Sequence, residues 1–261
     1  MKIAIIGAGA MGGAVARGLA EAGHDLTGCN ANICVSNPSE GKLRALAERG
    51  ISVTHSNVDA VKGADTVIIC VKPWFVEGVI NELKPHLDYS RTEVSLVVAG
   101  ISLDTLSGWL AKDDGSLPQF CITMPNTAMA VLKSMTFQVN GNGECESARA
   151  IFGRLGDIKV ITERQLPAAM ALASCGIAYA MRYVRAATEG GVELGLRAAE
   201  AQEIIVSTLI GASELLREPD AHPESEIDKV TTPGGITIRG LNAMEEAGFS
   251  AAVIKGLRAS K

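Results

Sequence analysis

The sequence predicts an α/β protein in which a doubly wound parallel sheet is followed by an all-helical domain. Three observations carry this. Short, almost wholly apolar β-type runs alternate with helical segments through residues 1–161, the pattern of a parallel sheet covered on both faces. A glycine-rich segment follows the first of those runs at once. After Thr162 the strand-like runs stop and alanine-rich helical segments take over, which places the domains at 1–161 and 162–261.

Ile3-Ala4-Ile5-Ile6 is the first strand, and a helix follows over about 11–22. Gly23 ends it, since glycine accepts the left-handed backbone of a residue just past a helix. Ile33-Cys34-Val35 is the second strand, and 39–49 a helix closed by Gly50. Further strands are expected at 66–71, 94–98 and 119–123, separated by helices at 75–83 and 103–110. A strand at 135–139, a helix at 145–155 and a strand at 158–160 extend the same sheet. Beyond the boundary, helices are expected at 164–189, 197–216, 237–246 and 249–258. The first of these is apolar over more than one stripe. Either a second copy of the chain or neighbouring helices of the same chain would cover it, and a homodimer or a higher homo-oligomer of dimers is the expectation.

Composition excludes several classes. With 47% hydrophobic and 20% charged residues, the chain is not disordered. Its 28 glycines exceed the about 18 that average usage gives at ~7%, yet they follow no Gly-X-Y period. The net charge is −5, with no block of about five or more like charges, so nucleic acid is not an expected partner. The six cysteines include no C-x-x-C pair and lie largely in apolar runs, which suits reduced, buried thiols in the cytoplasm. Four apolar residues before the first glycine are too few for a signal-peptide core, and no segment asks for a membrane. The histidines at 24, 55, 86 and 222 show no metal-ligand spacing, so no metal is expected.

Gly7-Ala8-Gly9-Ala10-Met11-Gly12 matches G-x-G-x-x-G between the first strand and the first helix. The three glycines allow a tight turn, close approach of backbone to a pyrophosphate and close helix–strand packing. The helix start adds free N–H groups and partial positive charge. This points to a dinucleotide site on a Rossmann-type sheet. At the end of the second strand, where an NAD site usually carries Asp or Glu, the chain reads Ser36-Asn37-Pro38-Ser39, with Lys42 and Arg44 following. That strand end suits the 2′-phosphate of NADP, with NAD and a plain capped turn left open. Val71-Lys72-Pro73 and Met124-Pro125-Asn126-Thr127 follow strand ends on the same carboxyl edge. Thr231-Thr232-Pro233-Gly234-Gly235-Ile236-Thr237 precedes a helix. An anion-binding nest with the Thr237 hydroxyl beside it, and a capping loop with proline near the first turn, account for that spacing equally well.

Taken together these residues resemble the pyrroline-5-carboxylate reductase family along nearly the whole chain. The resemblance rests on the 6–12 segment, Asn57, Val71-Lys72-Pro73, Ala99-Gly100-Ile101-Ser102, Met124-Pro125-Asn126-Thr127, the 189–196 run, His222-Pro223, and above all Val230 through Thr237. It implies that Gly7, Gly9, Ala10, Met11 and Gly12 hold the pyrophosphate. It places Ser36 and Asn37 at the adenosine ribose or its phosphate, and Asn57 on the adenine side. Val71, Lys72, Pro73, Ala99 and Gly100 would line the cofactor groove, with Asn126 close to the nicotinamide. Thr232, Gly234 and Gly235 would hold the substrate carboxylate, and Thr237 would hydrogen-bond the ring nitrogen as the catalytic contact. The implied reaction is hydride transfer from NADPH, or NADH, to 1-pyrroline-5-carboxylate. Reduction of another small imine or keto acid, and a weakly catalytic NADP(H) sensor, are the alternatives. The chain departs from the family's Ser-Gly-Ser-Gly-Pro-Ala-Tyr run, reading Ala173-Ser174-Cys175-Gly176-Ile177-Ala178-Tyr179.

Overall fold

The computed structural model describes residues 1–23 and 32–260; His24 and Cys29, one of the six cysteines, lie outside them. Its elements run β1 (Lys2–Ile6), α1 (Ala10–Glu21), β2 (Asn32–Ser36), α2 (Glu40–Ala47), β3 (Ser52–Thr54), α3 (Asn57–Val61), β4 (Thr66–Ile69), α4 (Val76–Leu83), β5 (Glu93–Leu96), α5 (Leu103–Leu110), β6 (Gln119–Met124), β7 (Ser134–Asn142), α6 (Glu146–Gly153) and β8 (Gly156–Val160). The helices α7 (Leu166–Met170), α8 (Gly176–Glu193), α9 (Ala198–Leu215), α10 (Pro223–Val230), α11 (Ile236–Glu246) and α12 (Phe249–Ala259) complete it. The chain divides into two compact units, Met1–Ser174 and Cys175–Lys261.

In the first unit eight strands form one sheet in the order β3-β2-β1-β4-β5-β6-β7-β8. Alternation along β1 explains why both faces are covered. Ile3 and Ile5 enter a core with Val15, Leu19, Leu43 and Phe152, while Ala4 and Ile6 enter another with Val76, Ile80, Leu83 and Leu106. Successive side chains of a strand point to opposite faces, so a strand apolar at every position requires helices on both sides. The order reverses between β1 and β4, and ligands of open α/β sheets bind outside the carboxyl ends of the strands at such a point.

Two expectations need correction. The sheet is not wholly parallel, because β7 pairs antiparallel with β6 while β8 runs parallel to β7. The connection over 125–133 holds only a 3-10 turn (Thr127–Val131), and a parallel return needs a crossover of about a dozen residues or more. Nor is 164–189 a uniform α-helix. A 3-10 turn (Glu163–Gln165) and α7 lead into a π-helical segment (Ala171–Cys175) before α8 begins. Asn126 Nδ2 donates to the Ala173 carbonyl in that segment at 3.4 Å, an outside partner of the kind that locally opens a helical ladder.

The second unit is helical throughout. α8 and α9 pack together, and Gly191 permits this: a Cβ there would stand 2.8 Å from Ala201 Cβ. Tyr183 meets Phe249 edge to face at 6.4 Å. Among the described residues of this unit only Ala201 is buried, while Leu194 and Ile236 are 88% and 81% exposed. Met181, Val184, Val192 and Val206 help line a hollow of about 710 Å³ along α8 and α9.

Candidate active site

The turn from β1 into α1 is shaped by what a side chain would strike. Gly7 has φ +99°, and its amide donates to the Ser36 carbonyl at 2.9 Å. A Cβ on Gly7 would lie 2.7 Å from the Cys70 carbonyl oxygen. A Cβ on Gly12 would lie 1.9 Å from the Gly7 carbonyl oxygen and 2.9 Å from Cys70 Cβ. Helix α1 and strands β1 and β4 are thereby drawn together. Gly9 caps α1 with an extended backbone and no side-chain hydrogen bond, and no heavy atom lies within 4 Å of the place its Cβ would occupy. The first amides of a helix lack intrahelical acceptors and carry partial positive charge. A glycine cradle with open space beside it therefore fits a dinucleotide pyrophosphate.

That cradle opens on a cleft of about 710 Å³, within the ordinary range for small-molecule sites. Of the residues expected there, Gly7, Gly9, Ala10, Met11, Ser36, Asn37, Asn57, Val71, Lys72, Pro73 and Ala99 line it. Gly12, Gly100 and Asn126 are not among its lining. Gly12 is packed beneath the turn, and Asn126 is 7% exposed. The Asn126 carboxamide instead holds the end of β6, accepting from the Ala128 amide at 3.0 Å and donating to Ala173.

Side chains at the β2 end are tied into the loop. Asn37 Oδ1 accepts the Ala8 amide at 3.0 Å, and Asn37 Nδ2 donates to the Ser39 carbonyl at 3.3 Å. His55 bridges the Asn37 carbonyl oxygen at 3.0 Å and Glu40 Oε2 at 2.8 Å. The hydrogen bond to Glu40, then the one to the Asn37 carbonyl, raises its pKa by favouring the imidazolium. Ser36 Oγ donates to Asn57 Oδ1 at 2.7 Å, and Asn57 Nδ2 donates to Glu82 Oε2 at 2.9 Å. Cys70 also lines the cleft, but burial pushes its thiol up to about 12. It stays protonated at neutral pH and is no nucleophile.

Sequence reasoning missed one wall of this cleft. Trp74, Phe75, Gly78, Val79 and Glu82 all line it. They stand on the 3-10 turn Pro73–Phe75 and on α4, read from sequence only as a spacer. Trp74 is 73% exposed and lies 6.0 Å from Phe75, centroid to centroid. Adjacent exposed aromatics after Lys72-Pro73, in a chain with so few rings, were the available signal.

In the second unit, Thr232, Gly234 and Gly235 lie in the turn from α10 into α11. The Gly235 amide donates to the Thr232 carbonyl at 2.9 Å, Gly234 has φ +71°, and Gly235 caps α11 without a side-chain bond. Thr237 is the second residue of α11 and is exposed. Among the described residues no group of three or more His, Cys, Asp or Glu is gathered for a metal.

A doubly wound sheet whose glycine loop opens at the switch point defines a Rossmann-type, dinucleotide-binding protein. The chain is 38% identical to pyrroline-5-carboxylate reductase 1 of Dictyostelium discoideum over 98% of its own length and 48% of that protein's. It is 36% identical to pyrroline-5-carboxylate reductase 2 of the same organism, over 98% and 89%. The chain belongs to the pyrroline-5-carboxylate reductase family. Residues 163–261 match the family model for pyrroline-5-carboxylate reductase dimerisation, and residues 2–98 match that for NADP oxidoreductase, coenzyme F420-dependent. The solved pyrroline-5-carboxylate reductase of Coxiella burnetii superposes with a TM-score of 0.86 at 27% identity, covering 99% of this chain and 95% of that one.

Proposed function

We propose that the chain reduces the imine of 1-pyrroline-5-carboxylate to L-proline with hydride from NADPH, or from NADH. The observation that carries this is a glycine-cradled cleft in a chain that matches pyrroline-5-carboxylate reductase 2 over 98% of its length. When bound, the cofactor supplies hydride from nicotinamide C4; a protonated cyclic imine is already electrophilic and needs no protein nucleophile. The chain's own residues bind and orient. Backbone amides at Gly9, Ala10 and Met11 hold the pyrophosphate, with Gly7 and Gly12 shaping the turn. Ser36, Asn37 and Asn57 face the adenosine half. Val71, Lys72, Pro73 and Ala99 wall the groove, while Gly100 and Asn126 set the backbone of the neighbouring strand ends. Thr232 and Gly234 take the substrate carboxylate in the nest before α11, with Gly235, whose amide is held by the Thr232 carbonyl, shaping the turn; the Thr237 hydroxyl holds the ring nitrogen, whose proton comes from solvent. Fixing donor and acceptor in one geometry can remove about 7 kcal/mol or more from such a barrier.

The test is NADPH oxidation with pyrroline-5-carboxylate beside a panel of other small imines and keto acids. Pyrroline-5-carboxylate should be reduced fastest, and oxidation supported only by a keto acid would overturn the assignment. Thr237→Ala should lower kcat by about tenfold to a hundredfold, the scale of one lost transition-state hydrogen bond, while the Kd for NADPH stays within twofold. Loss of NADPH binding in that variant would refute the role given to Thr237. NADPH should also quench the fluorescence of Trp74, and Trp74→Phe should remove most of that quench. An undiminished quench in the variant would mean that Trp109, on α5, is the reporter.

The helical unit supports a homodimer or a higher homo-oligomer of dimers, because its apolar surface needs a cover. The described cysteines, at 34, 70, 121, 145 and 175, are free thiols, which supports a reducing cytoplasmic setting. No described helix is long and apolar enough to cross a membrane.

A further inference from the structure

We propose that Glu82 on α4 sets the balance between phosphorylated and unphosphorylated cofactor, holding the preference for a 2′-phosphate low. The strand end Ser36-Asn37-Pro38-Ser39 carries no acid, but the fold supplies one from elsewhere: Glu82 lines the same cleft as Ser36, Asn57 and Lys42. It closes a chain of two hydrogen bonds, Ser36 Oγ to Asn57 Oδ1 at 2.7 Å and Asn57 Nδ2 to Glu82 Oε2 at 2.9 Å.

The direction of that chain follows from its last member. An ionised carboxylate only accepts hydrogen bonds, so Asn57 must turn Nδ2 toward Glu82 and Oδ1 toward Ser36. The Ser36 hydroxyl then donates to Asn57, leaving only its lone pairs for anything else in the cleft. A ribose 2′-hydroxyl can donate to those lone pairs or to Glu82. A 2′-phosphate carries only acceptor oxygens toward them and shares the sign of the Glu82 charge. Lys42, lining the same cleft, acts in the opposite sense. Glu82 thus opposes the phosphate twice, by its charge and by the hydrogen-bond direction it imposes on Ser36.

A glutamine at position 82 changes both. Its amide can donate to Asn57 Oδ1, Asn57 can reverse, and the Ser36 hydroxyl hydrogen becomes available to a phosphate oxygen. The inference rests on the proposed function, and the experiment separates their failures. ADP-ribose and 2′-phospho-ADP-ribose are titrated calorimetrically into the full chain, into Glu82→Gln and Glu82→Ala, and into Lys42→Met. Neutral residues at 82 should raise the ratio of affinities, phosphorylated over unphosphorylated, at least fivefold, with Gln exceeding Ala; Lys42→Met should lower it. A purely structural role for Glu82 would weaken both ligands alike and leave the ratio within twofold, which would overturn the inference. If neither ligand binds the unaltered chain, the proposed function itself falls, and the inference with it.

Discussion

Gly12→Ala is expected to weaken dinucleotide binding at least a hundredfold, about 2.7 kcal/mol, and to lower the melting temperature. The added Cβ would lie 1.9 Å from the Gly7 carbonyl oxygen and 2.9 Å from Cys70 Cβ. Backbone on one side and a packed strand end on the other leave no flexible side chain to give way. Overpacking of this kind typically costs about 1–3 kcal/mol, and relief would require the 7–12 turn to move. Gly9→Ala is the informative partner. Its Cβ meets no protein atom within 4 Å, and φ of −68° suits any residue, so the melting temperature should stay put. The methyl group would nonetheless stand at the mouth of the cradle, and affinity should fall about tenfold. Calorimetric Kd values and thermal melts on the two variants separate space inside the fold from space reserved for ligand. Equal destabilisation of both would refute that distinction.

Val206→Asp, and independently Met181→Asp, should convert the oligomer to monomer, read as mass by light scattering after size exclusion. Both residues line the hollow along α8 and α9, and they are 41% and 65% exposed in a single chain. A helical unit that buries only Ala201 among its described residues lacks the apolar core that would keep it folded alone. A carboxylate placed unpaired in the covering interface costs about 3–5 kcal/mol, enough to weaken association about a thousandfold. An unchanged mass in both variants would show that this face is not the one covered.

Local periodicity carried much of this fold. The first strand, the glycine loop and α1 were legible because apolar runs and glycine positions are decided within a few residues. The reversal at β7 was legible in principle, since 125–133 is too short for a crossover, but the apolar content of 135–139 does not disclose direction. The π-helical turn at Ala171–Cys175 was not legible: an alanine-rich run reads alike whether its carbonyls bond four or five residues on, and Asn126, which meets the Ala173 carbonyl, comes from the end of β6. The same limit divided the site. The glycines revealed the phosphate cradle, whereas the Ser36–Asn57–Glu82 chain joins three elements, and only folding brings them within hydrogen-bond distance. Strand β3 and helix α3 escaped notice because they are only three and five residues long, and helix α10 because its Pro223–Val230 run offers only two large aliphatic residues to mark a buried face.

The tie between Asn37 and Ala8 bears on how this enzyme could drift between cofactors over evolutionary time. Asn37 holds the phosphate loop with Oδ1 and the following turn with Nδ2. An aspartate there, the usual route to an NAD-type strand end, would keep the first bond but set an oxygen against the Ser39 carbonyl. A lineage changing its reductant through that position would loosen its own phosphate loop in the same step. Position 82, exposed on a helix surface, is open to change without that penalty, so cofactor choice and loop integrity can diversify separately.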